Sequence, residues 1–281
     1  MDCVTHFIGK VCARRICITV ISTRDGRAKC GCAVLEGRSV WTRRWSSHAD
    51  SSLTDEGPCT IDIWDTSLTY KQFIQGYAYN KPVIIRGLSD NTEFQLMCSK
   101  DHLLREFGER LVRLSTANTY SYQKVDVPFH EFVEYLLKPQ SFSALGSETL
   151  YFFGDNNFTE WHSLFEKYHS PSYILPHTRG AYSFGIAGPG TGVPFHWHGP
   201  GYSEVIHGRK RWFLYPPNHE PKFHPNRTTL SWVTETYPTL TATQRPLECT
   251  IRPGEVLYFP DHWWHATLNL DTSVFISTFL G

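Results

Sequence analysis

The sequence predicts a mainly β protein with flanking helices: a double-layered β-barrel of jelly-roll type set behind a helical lead-in. Three observations predict it. Eight short apolar segments follow residue 180, separated by Gly-Pro-Gly, Pro-Pro and Pro-Gly turns, which suits the strands of a sandwich or barrel. Before residue 180 the apolar positions recur with helical period in several stretches. Hydrophobic residues make up 41% and aromatic residues 15% of 281 positions, so a large, bulky core is available to one domain.

Residues 1–55 read differently from the rest. They are rich in Lys and Arg, hold no sustained period of 2 or 3.6, and carry five of the eight cysteines (Cys3, Cys12, Cys17, Cys30, Cys32). Those cysteines lack the C-x-x-C spacing of a zinc knuckle. Arg14-Arg15 followed by Ile16–Ser22 faintly resembles a secretory signal peptide, with an apolar part of minimum length and no clean small-residue cleavage site. The expectation is an atypical, disordered N-terminal extension over 1–55 and one domain over 56–281. Cys59, Cys98 and Cys249 remain, enough for one disulfide and one free thiol, with the pair left open.

Within the lead-in, expected over 60–180, Thr69-Tyr70-Lys71-Gln72 forms a capping box that opens a helix through Tyr77. Lys81–Gly87 reads as a buried strand closed by a glycine turn. A helix follows from Ser99 to Phe107. Another follows Pro128, where Phe129, Phe132, Val133, Leu136 and Leu137 keep the i, i+3, i+4, i+7, i+8 spacing. Trp161–Tyr168 is a fourth. The barrel core, 181–281, then offers strands at Ala181–Ala187, Val193–His198, Ser203–His207, Arg209–Tyr215, Glu248–Arg252, Glu255–Phe259, His265–Leu270 and Thr272–Phe279. Residues from about 218 to 247 are polar and interrupt the strands, as an external insertion carrying a short helix does.

Charge narrows the partners. The 27 basic and 27 acidic residues cancel, which argues against a global nucleic-acid or membrane-surface footprint. No apolar run approaches the roughly 18 residues of a transmembrane helix. An aromatic-rich single domain can also self-associate through an exposed patch, so a homo-oligomer is compatible with the sequence, which leaves the oligomeric state open.

The chemistry concentrates in Val193-Pro194-Phe195-His196-Trp197-His198-Gly199 and Trp263-Trp264-His265. Side chains two apart on a strand leave the same face, so His196 and His198 converge, and His265 completes a facial metal site if the sheet curls. The alternative reading is three satisfied core histidines. On Arg209–Tyr215, Lys210, Trp212 and Leu214 share one face. Beside the Trp-Phe-Leu-Tyr run that face is interior, which makes Lys210 a buried ammonium needing an anion such as the distal carboxylate of a keto acid. A solvated strand end is the other reading of Lys210.

Lys81–Gly87, His196-x-His198, Gly208-Arg209-Lys210-Arg211-Trp212-Phe213-Leu214-Tyr215-Pro216-Pro217 and Arg252-Pro253-Gly254-Glu255 through Phe259-Pro260-Asp261-His262-Trp263-Trp264-His265 resemble, in order, the JmjC (jumonji C) family over about residues 60–281. Thr116–Tyr122 and Phe153–Phe158 resemble one secretory-pathway branch of it. The resemblance implies a double-stranded β-helix (the cupin fold) that binds Fe(II) and 2-oxoglutarate and hydroxylates or demethylates proteins. It also implies His196, His198 and His265 as metal positions, Lys210 as the cosubstrate anchor and Thr191 as a further hydroxyl donor, at an unusual offset from His196. No catalytic residue beyond these is assigned.

Two departures from the family pattern matter. His198 stands where the family has Asp or Glu, and the interval from His198 to Gly208 is about one residue short. A neutral imidazole leaves a ferrous site with one more positive charge, which weakens its hold on Fe(II) and disfavours oxidation; Zn(II) tolerates three nitrogens. Glu204 is a candidate replacement carboxylate. The pattern therefore supports metal binding more than turnover. The expectation is a regulatory protein that binds a protein partner. The alternatives are a Fe(II)/2-oxoglutarate oxygenase acting on a protein substrate and a zinc cupin with hydrolase or isomerase activity. Asn157-Phe158-Thr159 and Asn226-Arg227-Thr228 are N-glycosylation sequons. With the branch resemblance they imply the endoplasmic reticulum lumen; a start without a signal peptide implies the cytoplasm.

Overall fold

Alternation of inward and outward side chains organises the chain into two facing sheets. A computed structural model describes Trp45, Leu53, residues 55–121 and residues 123–281. The five early cysteines, the signal-like Arg14–Ser22 segment and nearly all of the expected 1–55 extension lie outside the described residues, as does Tyr122.

The strands are β1 (Asp62–Trp64), β2 (Val83–Arg86), β3 (Leu111–Thr116), β4 (Lys124–Pro128), β5 (Leu150–Phe153), β6 (Gly180–Ala187), β7 (Gly201–His207), β8 (Lys210–Tyr215), β9 (Leu247–Ile251), β10 (Glu255–Phe259), β11 (Trp264–Asn269) and β12 (Ser273–Leu280). The major sheet runs β1-β2-β10-β7-β12-β6-β5-β3-β4 and the minor sheet β11-β8-β9. Among the described residues, only β1 and β2 pair in parallel. The long β12 pairs with both β6 and β7, so the major sheet is antiparallel through its centre. This is the expected two-layered, cupin-type barrel.

The lead-in forms its expected helices, the fourth over His162–Phe165, adds one at Thr92–Met97, and carries more strand than its periodicity predicts. The capping box forms as expected: Thr69 caps a helix over Tyr70–Gly76, and Gln72 returns to the Thr69 backbone. A helix also covers Lys100–Phe107, and Phe129–Glu131 continues as a π-helical turn over Phe132–Leu136. However, β1, β3, β4 and β5 also lie in this region and widen the major sheet. β3 alternates exposed and buried residues at Leu111–Leu114, and its pairing with β4 and β5 outweighs weak local preference.

The helices cover the outer face of the major sheet. Phe94, Leu103, Phe107, Phe129, Phe132 and Trp161 pack there against Phe152, Phe184 and Ile276. Residues 218–247 lie outside the barrel but are not a solvated excursion. Leu230, Trp232 and Tyr237 are buried against Phe195, Phe213 and Leu268, so this segment roofs the minor sheet.

The segment before β1 ties the two sheets together. Thr60 N donates to Glu248 O, and Thr250 Oγ1 donates to Glu56 O. A disulfide joins Cys59 to Cys249, while Cys98 is a buried free thiol. Beneath the segment, Arg211 and Glu248 form a buried ion pair at 2.5 Å, and Tyr237 Oη donates to the second Glu248 oxygen. Gly57, at φ +65°, sits where any side chain would strike the Arg211 guanidinium. Arg211→Met would leave the Glu248 carboxylate buried and unpaired. Its expected cost is about 3–5 kcal/mol in denaturant unfolding, and the Arg211→Met/Glu248→Gln double variant should recover a large part of it.

Candidate metal centre

Backbone pairing brings the three histidines together. Val193–His198, expected as a strand, runs beside β11 without becoming one, because Pro194 has no N–H to give the ladder. Thr267 N still donates to Val193 O, and Asn269 N to Thr191 O. Gly192 lies so close to Thr267 O that a Cβ would sit 1.7 Å from it, so only glycine fits. His196 and His265 form a two-way bridge, with N···O distances of 3.1 and 2.8 Å. His262 N donates to His198 O at 3.0 Å, which pins the third ligand to the turn before β11.

Nitrogen atoms of His196, His198 and His265 all lie within 4.8 Å of one another. Each Nδ1 meets a backbone carbonyl: Pro194 O at 2.9 Å, Gly199 O at 2.8 Å and Trp263 O at 2.9 Å. Those carbonyls place the ring proton on Nδ1 and leave every Nε2 with a bare lone pair. His198 Nε2 and His265 Nε2 nevertheless face each other at 3.1 Å. Two lone pairs at that distance repel unless a cation lies between them.

A proton is a poor candidate for that cation. Burial, together with the neighbouring His198, pulls the His196 imidazole down to about 4. Burial holds His265 well below the ordinary histidine range. Burial lowers His198 too, partly offset by the Gly199 carbonyl and the Asp261 charge. A divalent metal therefore fits the donor set.

The rest of the chamber is aromatic and holds one buried lysine. Tyr151 and Phe153 of β5, Phe259 of β10, and Phe275 and Phe279 of β12 line it. Lys210 is 2% exposed, donates to Tyr151 Oη at 2.9 Å, and sits 3.4 Å over the Phe275 ring. No carboxylate pairs with it among the described residues, and burial pushes its ammonium well below the usual lysine range. Trp212 Nε1 is also buried and has no acceptor there. The interior thus presents donors that call for an anion. Its free volume is only about 40 Å³.

Two sequence candidates stand elsewhere. Thr191 is buried outside the chamber lining, and its hydroxyl donates to Gly188 O at 2.6 Å. Glu204 lies on the outer face of β7, where it accepts from Tyr168, Ser89 and Asn91. Its neighbour Ser203 meets Ser277 inside, so strand alternation turns Glu204 away from the histidines. Conversely, Tyr151 escaped sequence reasoning because β5 was not foreseen; its place in an apolar Leu-Tyr-Phe-Phe run was the available signal. Of the sequons, Asn157 is exposed, whereas Asn226 is half-buried and accepts from Ser147 N.

Histidines kept neutral by folding bind fewer protons than the unfolded chain between their two pKa values. For His196 that window runs from about 4 to 6.5, so stability falls as pH drops through it. Metal-free protein should lose about 2 kcal/mol of unfolding free energy between pH 7 and pH 5 from His196 alone, and His196→Gln should flatten that slope.

Residues 71–279 match the Cupin-like domain family. Human JmjC domain-containing protein 8 is 65% identical over 237 residues, covering 84% of this chain and 89% of the relative. The mouse protein of that name is 65% identical over 231 residues, covering 82% and 86%. A chicken protein named 2-oxoglutarate and iron-dependent oxygenase JMJD4 is 27% identical over 244 residues, covering 75% of this chain and 57% of the relative. With its two-sheet barrel and its three clustered histidines, the chain belongs to the cupin-like JmjC domain family.

Proposed function

We propose that this chain is a metal-binding regulatory protein of the endoplasmic reticulum lumen, which engages a protein partner and has weak or absent oxygenase turnover. The all-imidazole donor set carries the reading. His196, His198 and His265 would hold the ion through Nε2, with no carboxylate joining them among the described residues to offset its charge. A ferrous ion there would supply redox chemistry, whereas Zn(II) would not. The chain's own groups orient the imidazoles through the Pro194, Gly199 and Trp263 carbonyls and exclude water with Phe259 and Phe279. The free volume of about 40 Å³ is far below the roughly 300 Å³ at which small-molecule pockets begin. As it stands, the chamber does not fit a metal together with a keto-acid cosubstrate.

One observation favours the second reading, a Fe(II)/2-oxoglutarate-dependent hydroxylase or demethylase acting on a protein. The Lys210 ammonium and the Trp212 N–H are buried without an anionic partner among the described residues, as an anchor for a carboxylate would be. A shift of Phe275, which now lies against Lys210, is required first.

Two features support the luminal setting. Cys59–Cys249 is a disulfide of the kind formed in oxidising compartments. The Asn157 side chain is exposed, with only its Oδ1 engaged, by Glu160 N.

Elemental analysis of protein purified without added metal should find close to one zinc or iron per chain, lost in His265→Ala. That protein should release little succinate from 2-oxoglutarate even when loaded with Fe(II). Robust release that disappears in Lys210→Met would establish the oxygenase reading instead. In secreted-pathway expression, glycosidase treatment should shift the gel mobility of the wild type, and Asn157→Gln should remove most of that shift.

A further inference from the structure

A second cavity, of about 270 Å³, lies on the opposite side of the chain segments that carry the histidines. Pro194, Phe195 and Ala266 form its floor, and each is within two residues of His196 or His265. Residues 222–236 form its walls. It is separate from the metal chamber, whose lining shares none of these residues.

The walls have a definite chemistry. Phe195 stands edge-on to Phe223 at 5.7 Å and to Trp232 at 4.9 Å, an aromatic corner that suits a planar ring. Thr229 is 1% exposed and lines the cavity, yet its hydroxyl has no partner. A buried hydroxyl left unsatisfied destabilises the fold, and a ligand in the cavity that Thr229 lines would supply the missing partner. At the rim, Arg227 is paired with both Glu235 oxygens at 2.5 Å. Lys222 is exposed, with no ion-pair partner among the described residues, so the rim keeps one net positive charge.

We propose that this cavity is a binding site for a small aryl carboxylate. The ring lies in the Phe195, Phe223 and Trp232 corner, Thr229 Oγ1 donates to the ligand, and Lys222 holds its anionic end. This site is independent of the metal centre and of the function proposed for it.

The test is calorimetric titration of the full chain with 3-phenylpropionate, alongside melting curves. Wild type should bind the acid. Thr229→Val should weaken binding about tenfold, the loss expected for one hydrogen bond to a charged group. The same variant should melt about 2–4 °C higher without ligand, because it removes an unpartnered buried hydroxyl. Lys222→Gln should weaken binding of the acid and leave that of 3-phenylpropan-1-ol unchanged. Lys210→Met should leave both unchanged. Absence of binding to wild type at millimolar acid would overturn the proposal. Undiminished binding to Thr229→Val would overturn it as well, and so would loss of binding in Lys210→Met, since that places the acid in the metal chamber.

Discussion

Two backbone hydrogen bonds exchanged between His196 and His265 set the geometry on which the site depends. They clamp a proline-broken segment to the edge of the minor sheet, and they do so at the two residues whose side chains must meet. Gly192 permits the approach, and Pro194 ends the ladder before it could become a regular strand. Once the backbones are locked, three carbonyls fix the ring orientations, and the lone pairs of His198 and His265 are left opposed. Positive charge between them relieves that opposition, so the arrangement is one that a cation completes.

Elsewhere the molecule partners the charges it buries. Arg211 has Glu248, and Glu204 has three donors around it. The metal chamber breaks that habit, with Lys210 over an aromatic ring and the Trp212 N–H unanswered. Unpaired donor groups in a closed space favour an anion, whose arrival would also favour the charged form of Lys210, while aromatic crowding restricts what can enter. The exchange of a carboxylate for His198 acts in the same direction, since it removes the negative group that would have balanced a metal inside this wall.

Much of this was visible along the chain. Strand alternation placed Lys210 and Trp212 on the inward face of β8, and the capping box at Thr69 marked a helix start to the residue. The i, i+2 spacing of His196 and His198 survived the loss of the strand that suggested it, because an irregular extended segment keeps that alternation. What escaped notice depended on distant partners. β5 is four residues long and is defined by pairing with β3 and β6, so Tyr151 could not be assigned to Lys210. Thr191 lay near His196 in sequence, but the tight Gly188–Thr191 turn consumes its hydroxyl. Polar composition hid the packing of residues 218–247, where a few large side chains among many small polar ones make the contact.

The bond between Cys59 and Cys249 closes a ring of chain 190 residues around in sequence number, within which lie His196, His198 and Lys210. β10, β11 and β12, including His265, fall outside that ring; β10 and β12 are threaded between its strands in the major sheet, and β11 pairs with β8 at the edge of the minor sheet. A single cut in any loop between residues 59 and 249 therefore does not release a fragment. The two pieces remain one molecule until a reductant reaches the sulfur atoms, so a nicked barrel keeps all three histidines tethered to one another.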